Sequence, residues 1–153
     1  MIQVCRLGHA TLTTPDLDRQ IAYYTQVVGL TLVAREGNRV FLATKQGLEA
    51  IALEPGAPNA LSRLAFQVAP GTELVEIARE LTKHGVTSER RSCVSPGVGD
   101  AIVFADPKGT LIEVFSEYAF AKEDRSQDGV MPIKLGHVAY RVKDVQHLSL
   151  IHI

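Results

Sequence analysis

Hydrophobic and polar positions along this chain fall into two rounds of the same pattern. GHATLTT alternates loosely, and with the residues before it predicts a strand over about residues 6–13. Pro15-Asp16 then marks a helix start, with Asp16 placed to cap free amides. Leu17, Ile21, Tyr24 and Val28 fall on one face at helical spacing, and Gly29 supplies the stop. Three short β-like runs follow, LTLVARE, RVFLAT and LEAIALE, punctuated by turns at Gly37-Asn38 and Gln46-Gly47. After the loop EPGAPNA the order begins again. SRLAFQV reads as a strand and TELVEIARELTKHG as a helix closed by His84-Gly85, with His84 a cation near the helix C-terminus. VTSERRS, DAIVFADP and GTLIEVFS supply three more strands. The two units share order and spacing more than identity, which predicts an internal β-α-β-β-β repeat of ~55 residues. The expected fold class is α+β, with units over residues ~5–54 and ~61–117.

From Glu117 the pattern dissolves, and the polar, turn-rich KEDRSQDG predicts a linker over residues 118–133. KLGHVAYRVKDV then repeats the opening RLGHATLTTPDL, with Leu135-Gly136-His137 answering Leu7-Gly8-His9 and Asp144 answering Asp16. Residues 134–153 are therefore expected to begin a third unit, cut short after its first strand. The closing QHLSLIHI lacks the helix that the pattern calls for, and His147 and His152 are assigned no role.

The totals narrow the function. The chain has 153 residues, 46% hydrophobic and 22% charged, enough for a core without covalent staples. A formal net charge of −1 with mixed signs gives no basic field for nucleic acid or anionic lipid, and Arg90-Arg91 is too small to change that. No apolar run approaches the ~20 residues of a membrane helix, and MIQVCRLGH lacks the features of a signal peptide. Cys5 and Cys93 are isolated, as expected of reduced, cytoplasmic thiols.

Several stretches together resemble the vicinal oxygen chelate superfamily of glyoxalases, fosfomycin and bleomycin resistance proteins and extradiol dioxygenases. They are LGHATL with PDLDRQIAYYTQVVGL, LAFQV before a helix, and FADPKGTLIEVF. The resemblance implies two β-α-β-β-β units in a cupped sheet around one divalent metal, with ligands on the first and last strands of each unit. Carried onto this sequence, it makes His9 and Glu113 candidate ligands. Leu64 stands at the equivalent of His9, and Ile51 at the equivalent of Glu113. Glu49 is a further candidate, because reaching it from Ile51 keeps strand parity, whereas Glu54 requires a change of face. Leucine cannot ligate a metal, so the cup is expected to be degenerate, with no metal tightly bound in this chain. His9 then reads as a structural remainder, and Glu113 as facing outward or paired with His9.

Within the superfamily, the resemblance is to the N-terminal part of enzymes similar to catechol 2,3-dioxygenase. These place a metal-free pair of units before a pair holding Fe(II) through two histidines and a glutamate. His137 would be the first of those histidines in the intact protein. The implied reaction is cleavage of a catechol-like diol by O2, in a cytoplasmic homo-oligomer. The same resemblance leaves two alternatives. One is a stand-alone glyoxalase-like or fosfomycin-resistance-like metalloenzyme using His9, Glu113 and Glu49. The other is a non-catalytic small-molecule-binding module similar to the bleomycin-resistance proteins.

Overall fold

The computed structural model describes residues 2–139. Strand β1 (Val4–Thr14) is followed by helix α1 (Leu17–Ala22), which widens into a π-helix over Tyr23–Val28. Strands β2 (Thr31–Glu36), β3 (Arg39–Ala43) and β4 (Glu49–Pro55) complete the first unit. The second unit is β5 (Ala60–Val68), α2 (Leu74–Lys83), β6 (Glu89–Ser95), β7 (Val98–Ala105) and β8 (Leu111–Phe115).

The first helix starts where the sequence places it, with the Asp16 carboxylate accepting from the Arg19 amide at 3.0 Å. Its second half departs from the expected α geometry. There the Thr25 hydroxyl donates to the Ile21 carbonyl at 2.8 Å, occupying a backbone acceptor where the turn widens. Gly29 closes it in the left-handed region, at φ 82°. The apolar face is as read from the sequence: Leu17, Ile21, Tyr24 and Val28 pack on Leu30, Val40, Leu42 and Leu53.

All eight strands join one mixed sheet in the order β2-β3-β4-β1-β5-β8-β7-β6. Within each unit the first and last strands pair parallel, β1 with β4 and β5 with β8, while the remaining pairs are antiparallel. The units meet at an antiparallel seam between β1 and β5, so the strand order reads outward from the seam identically on both sides. One face of the sheet carries the helices. There Ala10, Leu64, Val68, Ile102, Phe104, Ile112 and Val114 pack with Ile77 and Leu81 of α2. Burying each large side chain of this kind is worth about 1.5–3 kcal/mol. The other face curls into a cup holding Ala65, Val98, Ala101, Val103 and Phe115.

Residues 117–139 form no helix or strand, yet they are tightly fastened to the first unit. Ala121 and Asp124 donate their amides to the carbonyls of Gly47 and Lys45, both at 2.9 Å. The Asp124 carboxylate accepts from Thr31 Oγ1 at 2.5 Å and Lys45 Nζ at 2.9 Å. Those neighbours hold the Asp124 carboxyl well below the usual carboxylate range, with the Thr31 hydrogen bond the largest cause. Gly47 has φ 86°, and a Cβ there would lie 2.1 Å from the Ala121 carbonyl oxygen, so only glycine permits this approach. Further on, Leu135 and Val138 pack against the helix-side core. Residues 134–139 make no strand pairing, and the rest of the expected third-unit strand, with Asp144, His147 and His152, lies outside the described residues.

Candidate functional site

The centre of the cup is polar. Two irregularities in the sheet put its groups there. Leu7 pairs with Phe66 but Ala10 with Leu64, so Gly8 and His9 together oppose Ala65. This bulge turns His9 into the cup, at 2% exposure. Gly8 passes so close to Phe115 that a Cβ would lie 2.8 Å from its ring. The second bulge is in β4, where Leu42 pairs with Ile51 but Ala43 with Glu49. Ile51 and Leu53 pack on the helix face, and the extra residue carries Glu49 across to the cup. Parity alone does not bring Glu49 inward, contrary to the sequence expectation. Glu54 already shares the cup face without any such change, because it stands three residues from Ile51.

His9 lies between two carboxylates, with Nδ1 3.8 Å from Glu49 Oε2 and Nε2 3.4 Å from Glu113 Oε2. All three side chains are at most 4% exposed. Glu49 is fully engaged: Ser95 Oγ donates to one oxygen at 2.5 Å and the Gly97 amide to the other at 2.8 Å. Glu113 Oε1 accepts from Arg63 Nη1 at 3.4 Å. Burial alone would raise the Glu113 pKa, but its contact with His9 and the charges of Arg63 and Arg39 outweigh this and hold it below the usual value. Glu54 lies 3.9 Å from both Arg39 Nε and Arg63 Nη2, and accepts from Ser62 at 2.7 Å. Arg39 Nη1 donates to the Val94 carbonyl at 3.0 Å. Arg39 and Glu49, both from the first unit, thus reach the β6 strand and its turn in the second, drawing the curled sheet together. At the other end, Arg6 stacks over Tyr118 at 4.7 Å and donates to Gln67 at 2.5 Å.

The structure therefore brings His9, Glu49 and Glu113 together. It places Leu64 elsewhere: Leu64 pairs with Ala10 on the helix face, and the cup-facing residues of β5 are Arg63, Ala65 and Gln67. Arg63 and Arg39, which complete the network, were not singled out from the sequence. The signal for Arg63 was present in SRLAFQV, where Arg63, Ala65 and Gln67 alternate with Leu64, Phe66 and Val68. His137 stands apart from the network. It is exposed and lines a cavity of about 960 Å³ with Leu12, Ser62, Arg63, Lys108 and Leu135.

A divalent metal of the dioxygenase kind wants about three His or carboxylate donors. Among those three side chains, His9 Nε2 and Glu113 Oε2 are buried without hydrogen-bond partners. Both Glu49 oxygens and Glu113 Oε1 are already engaged. Among the described residues no three His, Cys, Asp or Glu side chains are arranged to hold a metal ion. The cup does not fit the metal, and the reason is occupancy by donors and a guanidinium, not a leucine. His137 contributes a single exposed imidazole to any site it serves. No helix among the described residues is long and apolar enough to cross a membrane. Cys5 and Cys93 are free and exposed.

Comparison with known proteins agrees with this architecture. Metapyrocatechase of Geobacillus stearothermophilus is 25% identical over 157 aligned residues, covering 98% of this chain and 47% of the relative. Biphenyl-2,3-diol 1,2-dioxygenase of Sphingomonas paucimobilis is 31% identical over 120 residues, covering 75% of this chain and 40% of the relative. The manganese-dependent 2,3-dihydroxybiphenyl 1,2-dioxygenase of Geobacillus genomosp. 3 is 24% identical, over 89% of this chain and 48% of its own. The chain spans about half the length of the curated relatives it matches. Among solved structures, the 2,3-dioxygenase LapB from Pseudomonas sp. KL28 shares the fold, with a TM-score of 0.77 at 23% identity over 88% of this chain and 52% of that one. An extradiol ring-cleaving dioxygenase from Brevibacterium fuscum gives 0.70 at 26% identity, over 80% and 35%. The family model for the Glyoxalase/Bleomycin resistance protein/Dioxygenase superfamily matches residues 6–114. With its paired units, central antiparallel seam and curled sheet, this chain belongs to the glyoxalase/bleomycin resistance/dioxygenase superfamily.

Proposed function

We propose that this chain is the N-terminal portion of a metal-dependent extradiol dioxygenase that opens catechol-type aromatic diols with O2. The observation that carries this reading is the pattern of coverage. A metapyrocatechase aligns with 98% of this chain but with only 47% of its own length, and two biphenyl-diol dioxygenases match 89% and 75% of this chain with 48% and 40% of theirs. The absence of a three-donor set in the cup, among the described residues, supports placing the chemistry outside residues 4–115. The repeated Leu-Gly-His makes His137 the candidate ligand, with the rest of the set supplied from beyond this chain. Bound there, Fe(II) would supply chelation of both catechol oxygens and a place for dioxygen beside them. Mn in that role is the variant suggested by the name of one relative.

In this reading the residues of this chain position and do not react. Leu135 and Val138 seat the segment carrying His137 on the helix-side core, and the Asp124–Lys45 pair fixes the chain leading to it. The cup is a packing element, and its family suits a homo-oligomer in the cytoplasm. The test uses the longer protein. His137→Ala there is expected to abolish the ring-fission product together with bound iron, whereas His9→Ala keeps most turnover. The 153-residue chain supplied with Fe(II) and catechol in air is expected to give no product. Turnover lost in His9→Ala but kept in His137→Ala would defeat the reading, as would turnover by the 153-residue chain.

A further inference from the structure

The cup interior contains more polar atoms than its own side chains satisfy. Among the described residues, His9 Nε2, Glu113 Oε2, Thr11 Oγ1, Arg63 Nε, and Arg39 Nε and Nη2 are buried with no hydrogen-bond partner. These atoms are neighbours. His9 and Thr11 share the cup face of β1, Thr11 pairs with Arg63 across the seam, and Glu113 pairs with Ala65 on the other side of β5. His9 Nε2 and Glu113 Oε2 approach to 3.4 Å without the alignment of a hydrogen bond. Three of the groups are almost wholly enclosed: Thr11 is 0% exposed, Glu113 1% and His9 2%. Buried polar groups without protein partners are a signature of internal ligand or solvent sites.

The chemistry of the set selects the occupant. An anion meets the carboxylates of Glu113 and Glu54. A divalent cation meets Arg63, which already sits on Glu113, and Arg39, which sits on Glu54. Burial lowers the Arg39 pKa, followed by repulsion from Arg63, which marks the two guanidinium groups as close neighbours. A neutral molecule that both donates and accepts suits imidazole, carboxylate, hydroxyl and guanidinium N–H together. We propose that the cup of this protein is a built internal solvent site, in which ordered water bridges His9, Thr11 and Glu113, while Arg63 and Arg39 supply the positive charge a metal would bring. The inference concerns residues 9–113 alone and stands or falls independently of the dioxygenase reading.

Two measurements on the 153-residue chain decide it. The first is a crystal structure at high resolution from crystals soaked in Mn²⁺, with anomalous data. A water peak about 2.6–3.2 Å from at least two of His9 Nε2, Glu113 Oε2 and Thr11 Oγ1, with no anomalous signal there, is the expected result. An anomalous peak at that position overturns the proposal, and so does a dry interior in which these atoms pair directly. The second is equilibrium dialysis against Mn²⁺ and Zn²⁺ followed by elemental analysis. The expected outcome is the same metal content for the native chain and His9→Ala. Stoichiometric metal in the native chain that is lost in His9→Ala overturns it.

Discussion

Replacing Glu49 with alanine tests whether this residue is a clasp between the two units. The carboxylate accepts from one hydroxyl at the end of β6 and one backbone amide in the turn that follows, both buried, with distances of 2.5 and 2.8 Å. Hydrogen bonds to a charged group are worth about 1.5–3 kcal/mol each, and truncation leaves the Ser95 hydroxyl and Gly97 amide unpaired. One effect opposes this loss. Glu49 and Glu113 are both carboxylates, separated by the width of an imidazole and two contacts, on the order of 9 Å. At an effective dielectric of ~20 their repulsion is about 2 kcal/mol, which the substitution relieves. The net expectation is a destabilisation of about 1–4 kcal/mol, a sizeable share of the ~5–15 kcal/mol typical of a domain. Glu49→Gln retains one good acceptor and should cost about 1–2 kcal/mol, as should Ser95→Ala. Urea unfolding at pH 7, followed by far-UV circular dichroism, gives these differences from the midpoint at constant slope. A double-mutant cycle should return a coupling of at least ~1 kcal/mol between Glu49 and Ser95. Glu49→Ala within ~0.5 kcal/mol of the native chain, or strict additivity in the cycle, refutes the clasp.

Other outcomes follow from the same geometry. Glu113 has a folded pKa below its ordinary value of 4.5, so the stability it contributes is fully present above about that pH and is lost as pH falls through the folded pKa. Unfolding midpoints measured from pH 7 to 3 should therefore drop less steeply in Glu113→Gln, which starts less stable at pH 7. Gly97→Ala puts a Cβ 2.4 Å from the Tyr118 ring and 2.9 Å from the Ala119 carbonyl oxygen. It should lower stability by about 1–3 kcal/mol, read as a fall in melting temperature. Asp124→Ala removes the acceptor of Thr31 and Lys45 and should hasten proteolytic cleavage between residues 117 and 131. The unfolding transition of residues 4–115 should keep its slope in that variant, because the sheet does not depend on the latch.

Element order and the helix-side core were legible because both follow from periodicity. The spacing of Leu17, Ile21, Tyr24 and Val28 specifies a buried face whether the backbone is an α- or a π-helix, which is why the face was right and the helix type was not. The interior of the cup was harder to read. His9, Glu49 and Glu113 stood out as polar residues in apolar strands, but the side each one faces depends on the bulges in β1 and β4. The β1 bulge depends on strand pairing across more than fifty residues, which no local window contains, and the β4 bulge is a one-residue shift within the β3–β4 hairpin that periodicity does not reveal. The family resemblance sets Leu64 opposite His9, whereas the bulge at Gly8-His9 shifts the pairing so that Arg63 and Ala65 face the cup beside it. The polar run KEDRSQDG was read as a loose connection, while Asp124 within it is held by Thr31, Lys45 and Ser126. Composition describes a segment's affinity for water, and it says nothing about a specific partner nearly eighty residues earlier.

The β1–β5 seam has a consequence for how the molecule assembles. Each unit ends at a strand whose free edge is satisfied only by the other unit, so neither half is a complete object when synthesised. Until residue 68 has emerged from the ribosome, β1 presents a row of unpaired amides and carbonyls along an apolar strand. Assembly must wait for contacts between residues some fifty positions apart, which places folding on the slow side for a domain of this size. An expressed first half, lacking β5, would pair its open β1 edge with that of a second copy. Fragments divided between the units should then recover as strand-exchanged dimers or aggregates, and mixing the two halves should rescue the monomer.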